Sequence, residues 1–216
     1  MDNSKNSKNN LVQVIMNDSQ INEVVIHNII KMFINRKIIN NKHLESYTAM
    51  GFTRIDQNDE TFIDLDQEES KLLGSDKLRI KFINRKLTTI RKVIDVEEFM
   101  DNLDYKIVVV SSISPKAEKQ IVSYKNTELF YNTELQINLI DHVLIPKHFK
   151  LSEIEVEQLK DSYNIKLKNA KRMFVDDPVA RYYNLKVNDV VRIERPSINS
   201  GIAIDYRVVV PGSIFK

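Results

Sequence analysis

The chain has 216 residues, with 32 Lys+Arg against 30 Asp+Glu and a formal net charge of +2. That balance argues against an autonomous nucleic-acid binder, because affinity from phosphate neutralisation needs a basic excess. The absence of cysteine excludes a disulfide framework, a cysteine-ligated zinc and a cysteine nucleophile, and suits an intracellular protein. No apolar run approaches the roughly 20 residues that span a bilayer, and the opening MDNSKNSKNN lacks the apolar centre of a signal peptide.

Residues 1–17 read as a disordered polar tail. Asp18 or Ser19 is then placed to cap a helix with Ile21, Val24, Val25, Ile29, Met32 and Phe33 on one face. His27 is an ordinary residue of that helix. Asn41 heads a second helix through His43, Leu44 and Tyr47 that stops near Gly51, and Asp56–Glu69 reads as loop plus a short helix. Leu78, Ile80 and Phe82 alternate with Arg79 and Lys81, the pattern of a half-exposed strand. Val93–Met100 fits a short helix. The apolar run Tyr105–Ser112 suits a strand buried on both faces. Ser114-Pro115 starts a helix, serine as N-cap and proline where its missing N–H costs nothing. Leu135–Ile140 alternates and predicts another strand. The order describes an α/β domain with a mixed sheet over residues 18–142.

The pattern changes at His142–His148. Ser152 and Glu155 form a capping box, with Leu151 set to pack on Val156, and the helix runs to about Tyr163. Asp177-Pro178 opens a short helix, and Asn184 stands where a left-handed C-cap is wanted, with Leu185 folding back. Asn188-Asp189 turns the chain into VVRIE, where Val191 and Ile193 share one face and Arg192 and Glu194 the other. After Gly201, Tyr206, Val208 and Val210 alternate against Arg207 and Val209. Residues 143–216 therefore form a small α+β unit. They carry 13 basic and 9 acidic side chains, leaving 19 and 21 for the rest, so the first part has no cationic surplus for nucleic acid.

Catalytic constellations are thin. Glu69-Ser70-Lys71, with Asp56 or Asp59 upstream, has the spacing of a magnesium-dependent nuclease, but its segment reads as loop or helix where a strand is needed. On the strand Arg79-Ile80-Lys81 a cation stands where a carboxylate is required. His142 and His148, six residues apart without cysteine, do not resemble a zinc site. The chain has 4 Gly and no glycine-rich phosphate loop. No cofactor and no catalytic residue is expected.

Three pieces carry a resemblance: HVLIPKHFKLS (His142–Ser152), DPVARYYNLKVNDVVRI (Asp177–Ile193), and RPS with YR (Arg195–Ser197, Tyr206–Arg207). Together they resemble the H subunit of archaeal RNA polymerases and its eukaryotic-type counterpart, the fifth subunit shared by the nuclear polymerases. Tyr105–Gln136 is similar to the closing section of the N-terminal jaw that only the eukaryotic-type form has; residues 20–104 match mainly in order of elements. The resemblance implies a jaw of restriction-endonuclease-like topology followed by an assembly domain. It implies a non-catalytic polymerase subunit that docks on the largest subunit and holds its jaw beside downstream duplex DNA, touching it weakly and without sequence preference. Carried over by position, the docking residues are Pro146, Asp177, Pro178, Arg181, Arg195, Pro196, Ser197, Tyr206 and Arg207. The DNA-proximal ones are Ser112, Ser114, Pro115, Lys116 and Lys119. Asn184 and Asn188 stand where the family commonly has glycine, Ala170–Met173 replaces a proline-containing segment, and PGSIFK extends past the usual end. A free-standing transcription adaptor with the same docking domain is the alternative, and a nuclease a remoter one. Richness in Asn, Ile and Lys suggests an AT-rich genome, cellular or that of a large DNA virus. The expected location is the nucleus in the first case and a cytoplasmic viral factory or virion in the second, with no membrane partner.

Overall fold

The computed structural model describes residues 17–90, 94–163 and 169–212. Most of the expected tail, the Val93 helix start and the end of PGSIFK lie outside them.

Helix α1 (Asp18–Asn35) begins one residue earlier than its sequence signal. Asn17 caps it, accepting from the Gln20 N–H at 2.8 Å while the Gln20 side chain accepts from the Asn17 N–H. Asn40, one residue before the expected cap, heads a 3-10 turn (Asn41–His43) that leads into α2 (Leu44–Thr53). The helix ends near Gly51 as expected, two residues beyond it. A Cβ on Gly51 would meet Ile26 Cγ2 at 2.9 Å, so the glycine lets the two helices close together. The segment expected as loop holds β1 (Glu60–Asp64) before α3 (Gln67–Leu73). Then come β2 (Lys77–Leu87), α4 (Ile94–Asp101), β3 (Tyr105–Ile113), α5 (Pro115–Ser123) and β4 (Thr127–Tyr131).

These strands form one sheet in the order β1-β2-β3-β4, with β1 antiparallel to β2 and the other pairings parallel. Ile80, Ile107 and Val109 face α1 and α2, whereas Ile83, Val108 and Val110 face α4 and α5. The sheet is mixed, as expected, and covered on both sides, which is why Tyr105–Val110 is buried without interruption. It also explains why β2 is not half-exposed. Lys81 is 2% exposed beneath α4. Its neighbours reach polar partners: Arg79 bonds Asp104 at 2.6 Å and Glu60 at 3.0 Å, and the Lys106 ammonium donates to the Met100 and Asn102 carbonyls.

The strand expected at Leu135–Ile140 does not form. Its place is taken by a helical turn, α6 (Asn132–Leu135), and a 3-10 turn (Leu139–Asp141), which put Leu135, Leu139 and Ile140 against the first core. The pairing strand is instead the TELFY segment, β4, whose backbone follows β3 in register from Lys106↔Thr127 to Val110↔Tyr131.

A second sheet, ordered β5-β7-β8-β6, comprises β5 (Lys147–Lys150), β6 (Lys171–Phe174), β7 (Val190–Ser197) and β8 (Gly201–Val210). One face packs α7 (Glu153–Tyr163) through Leu151, Val190 and Val208, with Val156 and Leu159 above them. The capping box at Ser152 forms, the Ser152 N–H donating to Glu155 at 2.8 Å. The other face packs α8 (Pro178–Tyr182) through Val179, Ala180, Val191, Ile193 and Val209.

The two sheets meet around a buried ion pair of the first unit. Arg36, which caps the end of α1, makes a bidentate contact with Glu128 of β4 at 2.6 and 2.8 Å. Its remaining donors reach the Tyr182 and Arg181 carbonyls of α8 at 2.6 and 3.0 Å. Its side chain is 4% exposed. Tyr105 donates its hydroxyl to Glu128 and accepts from Asn184 at 3.1 Å. Tyr182, whose hydroxyl burial pushes up to about 12, accepts from Asn35 at 2.8 Å and donates to Asn138 at 3.0 Å. Its ring belongs to the first sheet's core.

Two outcomes follow from these buried charges. Arg36→Ala leaves Glu128 buried without its cation, so urea unfolding of that variant is expected to show a loss of about 3–5 kcal/mol. Glu69 is buried and accepts from the Asn40 N–H at 2.9 Å, Tyr47 at 2.8 Å and the Asp66 N–H at 3.4 Å. Burial alone would raise its pKa, but these donors and His43 hold it below the ordinary value. A depressed carboxyl contributes stability above its unfolded pKa, about 4.3, and that contribution disappears as pH falls through the lower folded value. Glu69→Gln should therefore unfold more easily at neutral pH, by roughly 1–3 kcal/mol, and show a shallower loss of stability on acidification.

Candidate functional site

The Asp177–Val210 segment folds as its residues dictate. Asp177 accepts from the Val179 N–H at 2.9 Å and Pro178 begins α8. Asn184 takes φ 48° and Asn188 φ 77°, left-handed positions that asparagine tolerates better than other residues bearing a Cβ. Leu185 then donates its N–H to the Ala180 carbonyl at 2.9 Å and buries its side chain. The turn delivers the chain to β7, which pairs with β8 from Val190↔Val208 to Ser197↔Gly201.

Only part of the expected docking set gathers on one surface. Pro146, Arg195 and Pro196 line a groove of about 640 Å³ with Val143, Leu144 and Ile202, at the turn end of the β7–β8 hairpin. Ser197 sits at the hairpin tip. Val143 is 96% exposed, Leu144 83% and Ile202 61%. Ile198 and Ile204 are exposed as well. This concentration of uncovered aliphatic residues was not visible in the sequence: Ile202 and Ile204 alternate like core residues, and what exposes them is that the covering helix α7 packs at the other end of the sheet.

The rest of the set lies elsewhere. Tyr206 is on the α7 side, lining a small cavity with Leu159 and Arg192. Arg207 is on the opposite face beside Asp205. Arg181 is spent within the chain, bonding Glu134 at 2.7 Å and the Leu129 carbonyl at 2.6 Å and lying over Phe130, 5.2 Å from the ring centroid. It serves the junction between the sheets from α8, the helix that Asp177 and Pro178 open.

The two linker histidines are structural. His142 Nδ1 accepts from the Leu144 N–H at 3.2 Å. His148 donates Nδ1–H to the Pro146 carbonyl at 2.7 Å, and burial pushes its pKa down, so the ring fixes the groove wall in the neutral state.

The residues expected near DNA do converge on one tip of the first sheet. Ser114 caps α5 through the Ala117 N–H at 3.3 Å and donates its hydroxyl to the Thr88 carbonyl at 2.8 Å. Pro115, Lys116 and Lys119 are exposed on the first turns of α5, and Ser112 is exposed at the end of β3. The parallel register sets Lys86 opposite Ser112, and Arg85 is exposed next to it, paired with Asp95 at 3.1 Å. Those two cations escape sequence reading because they are brought in by strand pairing across 26 residues of chain.

The Glu69-Ser70-Lys71 triplet lies on helix α3. Among the described residues the grouping with metal-ligand chemistry is His43, Asp66 and Glu69, whose donor atoms spread over 4.8 Å. His43 faces Glu69 with Nδ1 at 3.0 Å and Asp66 with Nε2 at 3.6 Å. Opposite ring nitrogens cannot serve one ion, and zinc ligands at about 2.0–2.2 Å from the metal would sit closer together. The imidazole bridges two carboxylates.

Residues 137–209 match the family model for the RNA polymerase Rpb5 C-terminal domain. The chain is 32% identical over 206 residues to the DNA-directed RNA polymerase subunit 5 of Acanthamoeba polyphaga mimivirus, covering 93% of this chain and 97% of that one. It is 35% identical over 129 residues to subunit rpabc1 of the DNA-directed RNA polymerases I, II and III of Dictyostelium discoideum, 57% of this chain and 66% of that one. To the Rpo5 subunit of Methanocaldococcus jannaschii it is 39% identical over 74 residues, which is 34% of this chain but 95% of the archaeal one. The short archaeal match, the near full-length viral one, and a second sheet built around the capped Asp177-Pro178 turn all lead to one assignment: the chain belongs to the family of fifth subunits of DNA-directed RNA polymerases and is a non-catalytic subunit.

Proposed function

We propose that the chain fastens itself to the largest polymerase subunit through the groove at the end of the β7–β8 hairpin and carries the first sheet as a jaw beside downstream DNA. The observation that carries this reading is the group of Val143, Leu144, Pro146, Pro196 and Ile202, aliphatic side chains that the fold gathers and leaves uncovered. Apolar surface of this kind is stabilised by burial against a partner, at about 25 cal/mol per Å² removed from water. Residues 143–216 act as the assembly domain and 18–142 as the jaw, and the location is that of the polymerase, nucleus or viral factory.

The jaw contact is electrostatic. Lys86, Lys116 and Lys119 surround the capped start of α5 at the ends of β2 and β3, where a helix N-terminus and cations favour a phosphate without reading bases. With a net charge of +2 for the whole chain, the contact assists a complex already held by protein docking. A sequence-tolerant grip of this kind suits a duplex that must slide.

Ile202→Asp is expected to reduce recovery of the largest subunit with the tagged full-length chain at least tenfold without lowering its thermal unfolding midpoint; undiminished recovery would contradict the docking role. Lys86→Glu with Lys116→Glu should leave that recovery unchanged. In the assembled polymerase the same pair should weaken retention of downstream duplex and make its salt dependence shallower, by about one unit of log–log slope per lysine.

A further inference from the structure

Asp205 lies half-buried on β8 among three cations. Its Oδ1 is held by Lys171 at 2.8 Å, and its Oδ2 lies 3.6 Å from Arg207 Nε and 4.0 Å from Arg195 Nη2. Neither guanidinium comes within hydrogen-bond distance of that oxygen, and Arg207 Nε is buried without a hydrogen-bond partner. Among the described residues neither arginine has another ion-pair partner. One carboxylate against three cations leaves a local surplus of two positive charges. Each guanidinium carries five N–H donors in a planar fork suited to bidentate recognition. Charge-assisted pairs normally close to about 2.7–2.9 Å, so at 3.6 and 4.0 Å Asp205 orients the arginines without satisfying them.

The geometry points to Arg195 and Arg207 as a clamp for the carboxylates of an acidic polypeptide segment, one whose apolar side chains fill the neighbouring groove. This rests on the docking role proposed above and adds the chemistry of the partner. Arg195 itself lines the groove, next to Pro146, Pro196 and Ile202, and Asp205 links it to Arg207 on the adjoining sheet face, so the charge borders the apolar surface. A nucleic acid fits the footprint poorly. Its backbone supplies no aliphatic groups for the groove, and the groove lining has no aromatic ring on which a base could stack. Lys171, with its side chain 71% exposed, completes the positive rim. Asp205 keeps the two forks pointed together until a stronger acceptor arrives.

The test uses the tagged full-length chain in its own host, with the largest subunit identified by mass spectrometry, and a duplex DNA binding assay on the purified chain. Arg195→Ala with Arg207→Ala is expected to cut recovery of the largest subunit at least tenfold, with an unchanged unfolding midpoint because the forks make no hydrogen bond among the described residues. Arg→Lys at both positions should restore part of that loss. Asp205→Asn, which enlarges the positive surplus, should retain or increase recovery. If Ile202→Asp abolishes recovery and the double arginine variant does not, docking stands and the clamp is refuted. If both variants keep the largest subunit, the docking role itself fails. Loss of duplex binding with intact subunit recovery in the arginine variant would make the site one for nucleic acid and overturn the proposal. So would a loss of recovery in Asp205→Asn equal to that of the arginines, which would mark the cluster as structural.

Discussion

The Arg36–Glu128 pair is the contact on which the arrangement of the whole chain depends. An arginine at the end of the first helix satisfies a carboxylate on the edge strand of the first sheet and two carbonyls of the short helix that packs on the second. Charges removed from water are costly unless their geometry is good and their remaining donors and acceptors are met. Here the fork is bidentate, both carbonyls are reached, and Tyr105 supplies a further donor to Glu128. The guanidinium also lies over the Phe33 ring, 5.1 Å from its centroid. A pair so fully satisfied fixes orientation as much as it stabilises. It sets the helix bearing Arg181 and Tyr182 against β4, and with it the sheet that follows.

That constraint gives the two proposed surfaces their relation. The cationic tip belongs to the first sheet, and the aliphatic groove and arginine cluster to the end of the second. Neither surface touches the junction. Tyr182 and Arg181 are spent on the junction itself, so the α8 segment serves mainly to join the halves, while the linker and the hairpin tip present the aliphatic groove. Exposed aliphatic side chains at Ile198, Ile202 and Ile204 cost little in a subunit whose normal state is within an assembly. In isolation they favour association.

Much of the fold was legible in the sequence because its signals are local. Ser114-Pro115, Ser152 with Glu155, Asp177-Pro178 and Asn184 each state a helix boundary through one backbone hydrogen bond, and each forms where expected. The Tyr105–Ser112 run announces a doubly covered strand. The failures share a different cause. TELFY and ETFID are short and carry no clear alternation, so β4 and β1 exist because β3 and β2 offer them edges. LQINLI has the period of a strand, yet its leucines reach the core from helical turns. Lys81 alternates like a solvent residue but lies under α4, a fact set by the layer above it. Of the site, Pro146, Arg195 and Pro196 were found together, but Lys86 and Ile202 required the strand register, and the split of Arg181 from Arg207 required the junction.

Native-state hydrogen exchange on the full chain tests most directly whether the junction makes one body of the two sheets. The slowest amides of β3 and of β7 and β8 should open with the same free energy, and removal of the Arg36 side chain should separate them. If the second sheet already opens well below the first in the unaltered chain, and the two are indifferent to Arg36, the ion pair does not govern the arrangement and the account is wrong.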